Sequence, residues 1–422
     1  MDAREIKGMQ IAATTPLRKT KDAWLVPSQS GPGNYRVASQ RPAMSNLYEV
    51  SDLACTCPDY ELRQRPCKHV IAVEYVIRRE YSSQGDVVTE TMRVTYTQDW
   101  AAYNAAQCEE KDRFMPMLAD LCSTIPQPPQ GRGRPRLPMS DMAFEAVSRV
   151  YSGLSARRFD SDVREAQAKG LTDSDPHFNS VLRYLRDPEM TPVLKSLVTL
   201  SALPLKAVET DFAVDSTGFT TCRFVRWYDH KWGKEKSKRE WIKLHAMTGV
   251  RTNIVTAVET THTYGPDSSD YNQFIPLLAG TAENFTFRDV TADKAYSGRT
   301  TLGAVEDFGG TPYIPFRGDF AGLGEGIAPH LPTAKATTWT KMFHLFAYQR
   351  DTFLSHYSQR SNVETTFSMI KRKFGDSLRS KSEVGQMNEV LCKVIAHNLC
   401  VLIAAVHEMK LEFPRFSDRI FA

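Results

Sequence analysis

Four side chains able to hold or move charge recur along one short stretch, YSQRSNVETTFSMIKRKFG (357–375): Tyr357, Arg360, Glu364 and Lys371. On a helix turning ~100° per residue, intervals of three, four and seven put them within roughly 60° of one another. Val363, Phe367, Ile370 and Phe374 form an adjacent apolar stripe that would seat the helix on a core. Taken alone, the stretch fits a solvated face with an Arg360–Glu364 ion pair at the favoured four-residue spacing. Two further acids change the reading. Asp215, in FAVDSTGF, lies in or at the end of an apolar strand, a costly place for a carboxylate that meets no cation. Asp293, in RDVTADKAYSG, follows another strand-like run. Acids from a central strand, a second strand end and a later helix can converge on two divalent ions ~3.5–4 Å apart. One ion would activate the attacking oxygen and the other stabilise the leaving oxygen of an in-line phosphoryl displacement. Carboxylate and water ligands suit Mg2+ or Mn2+.

A second cluster suits a different metal. ACTCPDYELRQRPCKHVIAV places Cys55 and Cys57 one residue apart, then Cys67 and His69 one residue apart. Three thiolates and an imidazole can wrap one tetrahedral Zn2+, and four protein ligands would close the site to chemistry, leaving it structural. The other cysteines, 108, 122, 222, 392 and 400, have no paired spacing and read as packing residues.

The elements that must position these groups follow from the patterning. Residues 1–90 contain short β-like runs (AWLVP, NYRVAS, NLYEVS), the cysteine cluster and an amphipathic helix, HVIAVEYVIRREY. Residues 91–138 read as an irregular linker ending in IPQPPQGRGRPRLP. Its GRGRPR resembles an AT-hook core, which would lay Arg132 and Arg134 along an A·T minor groove; a flexible basic linker is the alternative. Residues 139–205 read as helical. MAFEAVSRVYSGLSARR and DSDPHFNSVLRYLRDPEM carry Arg157, Arg158, Arg183 and Arg186, and an acid before Pro176 would cap the second helix. This arrangement allows a helix-turn-helix DNA reader or a helical packing module. From 206 to 422 strands come first (FAVDSTGF, EWIKLHAMTG, RTNIVTAVETT). Helix DYNQFIPLLAGTAE, strand FRDVTAD, helix RTTLGAVEDFG and strand TPYIPF follow, then helices to about 410. Three neighbouring strands followed by alternating helices and strands imply an α/β domain with a mixed sheet.

The totals exclude some classes. A chain of 422 residues with 41% hydrophobic and 24% charged residues is long enough for two or three domains with a large core. Its net charge of +4 is too slight to argue for nucleic acid; the distribution of charge matters more. The N-terminus lacks the apolar run of a secretory signal, and VLIAAV (401–406) is far too short to span a bilayer. The expectation is an intracellular protein without a membrane partner. WYDHKWGKEKSKREWIKLH interleaves lysines with Trp227, Trp232 and Trp241. It is either a solvated turn with core tryptophans or a tip that grips DNA. GDFAGLGEG (318–326) lacks the lysine-serine end of a P-loop and reads as a connection.

Two families are recognisable in these motifs. C-x-C, a spacer and C-x-H resemble the SWIM zinc finger, which implies structural zinc and a binding role toward DNA or a protein. Residues from about 130 to 408 resemble the DDE transposases of bacterial insertion sequences. Tyr357-x2-Arg360-x3-Glu364-x6-Lys371 is similar to the Y-R-E-K signature of one branch, and VDSTGF and ADKAYSG are similar to the segments around the first two acids there. The resemblance implies an RNase H-like catalytic domain with Asp215, Asp293 and Glu364 as ligands of two Mg2+ or Mn2+ ions. It also implies that Arg360 and Lys371 hold phosphate or neighbouring DNA, with Tyr357 supporting the same surface. The expected partners are double-stranded DNA, at element ends and target, and further copies of the chain on that DNA. The expected location is cytoplasmic and nucleoid-associated. Some members of the branch carry a large β-rich insertion before the glutamate, for which the spacing here leaves little room, so the processing of the cut end stays open. A domesticated DNA-binding protein with an idle core, or a simple nuclease on the same fold, fits the same residues.

Overall fold

Apolar runs of strand length need a second layer to cover them, and in the computed structural model they group into two units, Met1–Gln98 and Asp99–Ala422. Residues 3–418 are described, except 16, 21–22, 30–32, 40–52, 83–98, 134, 222–240, 264–267 and 317–336. Arg134, Cys222, all of NLYEVS, the segment holding Trp227 and Trp232, and GDFAGLGEG lie outside the described residues.

The first unit opens with helix α1 (Ala3–Thr14), followed by β1 (Arg18–Lys19), β2 (Trp24–Pro27), β3 (Asn34–Ser39) and β4 (Leu53–Cys55). The strands form an antiparallel sheet in sequence order. Helices α2 (Pro58–Arg63) and α3 (Lys68–Ser82) complete it. Trp24, Val26, Val37 and Leu53 pack with Val70 and Val73 of α3 in a small core. Helix α1 lies close against α3. At Gly8 a Cβ would come within 2.6 Å of Ile71 Cγ2, so only a residue without one permits the approach.

The second unit begins with α4 (Trp100–Cys108) and α5 (Glu110–Ser123), where the sequence reading expected irregular linker. Phe114, Met117, Leu118 and Leu121 of α5 recur at helical spacing and enter the main core. Four helices follow: α6 (Met139–Ser152), α7 (Asp160–Ala168), α8 (Phe178–Leu185) and α9 (Met190–Ala202). Residues 153–159 and 169–177 separate α6, α7 and α8, connections longer than the three or four residues of a helix-turn-helix. Helix α8 is capped by the His177 side chain, which accepts from Asn179 N, not by an acid. Arg157, Arg158, Arg183 and Arg186 are exposed, while α6, α8 and α9 share the core of the sheet.

The sheet comprises β5 (Asp211–Thr220), β6 (Trp241–Gly249), β7 (Val255–His262), β8 (Asp289–Ala292) and β9 (Thr311–Tyr313) in the order β7-β6-β5-β8-β9. β5, β6 and β7 are antiparallel, and β8 and β9 run parallel to β5. This is the mixed RNase H-like sheet expected. Consecutive residues Phe212, Ala213 and Val214 are all buried, so helices cover both faces of the central strand. The covering helices include α10 (Asp270–Ala282), α11 (Arg299–Asp307), α12 (Thr338–Tyr348), α13 (Arg350–Tyr357), α14 (Ser361–Phe374) and α15 (Glu383–Met409). α15 is long and apolar enough to cross a bilayer, yet 83% of its most apolar window is buried inside the unit. Its Asn398 amide clamps β7 and α9 together. Oδ1 accepts from Val255 N at 2.9 Å, and Nδ2 donates to Val255 O at 2.8 Å and to Ser201 Oγ at 2.9 Å.

One core carboxyl is left without a partner. Glu145 of α6 is fully buried, and neither oxygen is hydrogen-bonded among the described residues. Burial, with help from Asp141 and Asp162, pushes its pKa up to about 8. The folded protein therefore keeps a proton that the unfolded chain loses above its ordinary value of 4.5. Stability should fall as pH rises from about 4.5 to about 8, by up to about 1.4 kcal/mol per unit. Glu145→Gln should flatten that slope and leave the variant more stable than the parent at pH 8, as read by urea unfolding at a series of pH values.

Candidate active site and zinc centre

Residues of β5 alternate between the two faces of the sheet, so Asp215, Thr217 and Phe219 share one face and Ser216 points to the other. Helix α14 lies over the first face. Val363, Phe367 and Ile370 are buried beneath it, with Phe374 half-buried, as the apolar stripe required. The expected single helix over 357–375 is interrupted. Tyr357 ends α13, residues Ser358–Arg360 form a 3-10 turn, and α14 starts at Ser361. The break swings Arg360 toward the sheet. Its Nη1 donates to Asp215 Oδ2 at 3.0 Å and its Nη2 to Glu364 Oε1 at 2.5 Å.

Asp293 joins them from the next strand. The parallel register pairs Val214 with Ala292, so Asp215 and Asp293 are the next residues along the two neighbouring chains. Asp293 caps the 3-10 turn after β8 by accepting from Lys294 N. Burial raises the Asp215 pKa. The Ser216 N–H and the Arg360 guanidinium oppose that rise, while Asp293 and Glu364 add to it by like-charge repulsion. That set of mutual influences places all three acids in one electrostatic neighbourhood.

The opposite end of α14 is basic. Lys371 Nζ donates to Thr217 Oγ1 at 2.6 Å and lies 5.4 Å from the Phe219 ring centroid; burial lowers its pKa. Asp215, Glu364, Phe367, Lys371 and Arg372 line a common cleft of about 510 Å³. Glycine at 375, with φ +83°, allows the chain to turn after α14. Thr220 N then donates to Asp376 O at 3.0 Å, and Leu378 N donates to Thr220 O at 2.9 Å, extending β5 into the returning chain. The acids, a cation between them and a basic end form a site suited to divalent cations and phosphate.

The reverse face of β5 holds a network that sequence reasoning missed. Asp270, in the first turn of α10, accepts from Lys243 Nζ at 2.8 Å and lies 3.2 Å from His245 Nδ1. Ser216 adds a hydrogen bond to the same carboxylate. Burial alone would raise the Asp270 pKa, but these three partners hold it below the ordinary carboxylate range. His245 is fully buried, and its Nε2 meets Thr261 Oγ1 at 2.9 Å. Tyr296, three residues after Asp293, is buried beside Phe274 of α10. Thus α10 braces the segments carrying the first two acids from behind.

In the first unit Cys55 ends β4, Cys57 caps α2, Cys67 precedes α3 and His69 lies in its first turn. All four are buried, with their donor atoms within 4.8 Å of one another. Cys55 Sγ and Cys67 Sγ each lie 3.8 Å from His69 Nδ1. Zn–S and Zn–N bonds of ~2.3 and ~2.0 Å give tetrahedral edges of roughly 3.6–3.8 Å, so the donor set fits zinc, with Nδ1 as the imidazole ligand. Hydrogen bonding from Cys55 above all lowers the Cys67 thiol to about 4, giving the thiolate a metal needs. The Tyr35 ring lies against His69, centroids 4.7 Å apart. Of the expected DNA contacts, Arg132 is exposed in the segment before α6.

The sheet with its gathered acids and the Cys3His cluster define an RNase H-like domain joined to a zinc module. Residues 206–399 match the transposase DDE domain, and residues 45–77 match the SWIM zinc finger. The chain thus carries a transposase DDE domain over a little less than half of its length and a SWIM-type zinc finger toward its N-terminus. No curated protein matches the chain.

Two measurements test this geometry. Asp270→Ala leaves Lys243 and the buried His245 without their acid and should cost about 2 kcal/mol in unfolding free energy, measured in urea. Removing zinc with a chelator withdraws binding energy of about 10 kcal/mol or more. Amide-exchange protection over 53–76 should then be lost, while β5–β8 keep theirs.

Proposed function

We propose that this chain is a transposase that cleaves phosphodiester bonds at the ends of a mobile element and joins the freed 3′ end to target DNA, with Asp215, Asp293 and Glu364 as its catalytic acids. The observation that carries the reading is the meeting of Asp215 and Glu364 at one guanidinium, beside an Asp293 aligned by strand register. Three carboxylates so placed fit a pair of Mg2+ or Mn2+ ions. Such a pair would supply nucleophile activation and charge neutralisation for an in-line displacement.

The chain's own residues would do the rest. The Asp215 carboxylate is kept in place by Ser216 N at 2.8 Å, so it is pre-oriented before a cation arrives. Lys371, held by a neutral hydroxyl, keeps its charge for a phosphate at the far end of the cleft. Arg360 and Tyr357 line the approach to the acids and would contact the DNA backbone there. Phe367 and the body of α14 give the cleft a rigid wall, so acids and phosphate would keep their spacing through the reaction.

Around this centre, Arg132 and Arg134 of GRGRPR and the exposed arginines of 139–205 are proposed to extend the DNA contact. A synapse of two element ends calls for more than one copy of the chain. The zinc module, bounded by Cys55, Cys57, Cys67 and His69, is proposed as an accessory that binds DNA or a protein partner. A cytoplasmic, nucleoid-associated site of action follows from the DNA substrate.

An end-labelled duplex carrying the element terminus, incubated with the protein and Mn2+, tests the reading. The parent should yield both nicked and strand-transfer products. Asp215→Ala should reduce cleavage by at least about a thousandfold while retaining a gel shift. Cleavage that survives in this variant would sink the assignment, and nicking without joined product would identify a nuclease.

A further inference from the structure

Among the described residues, two cations beside the acids keep different company. Lys371 is held by a threonine hydroxyl, whereas Arg360 is bonded to two of the proposed metal-binding acids at once. Asp215 has one oxygen, Oδ1, engaged by the Ser216 backbone N–H and the other, Oδ2, by Arg360. A metal ion taken by Oδ2 would share that atom with the guanidinium. A divalent cation at ~2.1 Å from Oδ2 and a guanidinium nitrogen at 3.0 Å from the same atom could be no more than about 5 Å apart. Two cations that close, in a partly buried site, repel strongly. Arg360 and the metal thus compete for one carboxylate pair.

We propose that Arg360 is a placeholder cation that couples metal loading to DNA docking. Held by the acids, it lowers their affinity for a divalent ion. Displaced, it becomes a free guanidinium at the mouth of the cleft, suited to bidentate contact with a phosphate. The exposed Glu364 end, with its side chain 57% accessible, is the arm that yields first. The 3-10 turn that carries Arg360 lies outside the regular helix, so the side chain can swing without moving α14. By linkage, metal favours DNA binding and DNA favours metal binding to the same degree. The inference rests on the proposed role of the three acids as metal ligands.

Mn2+ binding to the zinc-loaded full-length protein without DNA tests it, with free Mn2+ measured by electron paramagnetic resonance. Arg360→Gln should bind Mn2+ about tenfold more tightly than the parent, within the usual five- to 150-fold range of coupling between sites. Arg360→Lys, which keeps the charge but makes a single point contact, should fall between them. Asp215→Asn should lose the site. At matched ionic strength, Mn2+ should also tighten binding of a fluorescent duplex to the parent, with that gain absent in Arg360→Gln. A merely structural arginine would give weaker metal binding on removal, the opposite sign. Equal or weaker Mn2+ affinity in Arg360→Gln with its circular dichroism unchanged overturns the placeholder. Should that variant not fold, parent-like affinity in Arg360→Lys overturns it instead. If the parent shows no Mn2+ binding that depends on Asp215, the metal-ligand reading itself fails.

Discussion

The seat of α14 on β5 rests on a lysine withdrawn from water. Lys393 of α15 is 2% exposed, and its ammonium donates to the carbonyls of Gly375 and Ser377 at 2.7 and 3.0 Å while lying 5.1 Å from the Phe219 ring centroid. Burial lowers its pKa to about 8. Both carbonyls lie in the chain just after α14, so the ammonium ties the exit of that helix to α15. With its exit so fixed to β5 and the core helix, α14 has one direction left, along the strand. Glu364 then falls beside Asp215 and Lys371 beside Thr217. The acid and the basic ends of the cleft are two turns of one rigid helix, about 10 Å apart along its axis.

That seat also explains why charge is divided between the faces of β5. On the face toward α14, two carboxylates meet at one guanidinium with a third acid beside them, a state that is costly without metal and useful with it. On the reverse face the Asp270 carboxylate is fully compensated by Lys243, His245 and Ser216. A carboxylate compensated by neighbouring cations on one face stands behind a group of mutually repelling acids on the other, where a ligand can relieve the repulsion. The zinc cluster follows the same logic on a smaller scale. There, strand and helix ends supply four donors too close together for a metal-free core to favour.

Much of this was legible in the sequence because it depends on local period. The alternation of FAVDSTGF and EWIKLHAMTG, the stripe Val363–Phe367–Ile370–Phe374 and the two ligand pairs of the zinc cluster each carry their own geometry. Less legible were features set by distant partners. Helix α1 buries little beyond Gly8 and Ile11, too thin a stripe to read. Helices α4 and α5 precede a Pro/Gly/Arg-rich run that makes the whole segment read as linker, although Phe114, Leu118 and Leu121 keep helical spacing. The break at 358–360 and the bond from Arg360 to Asp215 depend on contact between residues 145 positions apart. No window of sequence reports that.

The burial of α15 has a further consequence, for the order of synthesis. α4, α5, α6, α8, α9 and β7 all pack against this one helix, yet it is made after every strand of the sheet. At about 5–20 residues per second, a ribosome needs roughly 10–40 s to travel from β5 to the end of α15. During that interval the nascent sheet and helices would stand with their inner surfaces uncovered. The stretch that must finally cover them is as greasy as a membrane anchor. Closure of this core therefore waits on the last helix to be made.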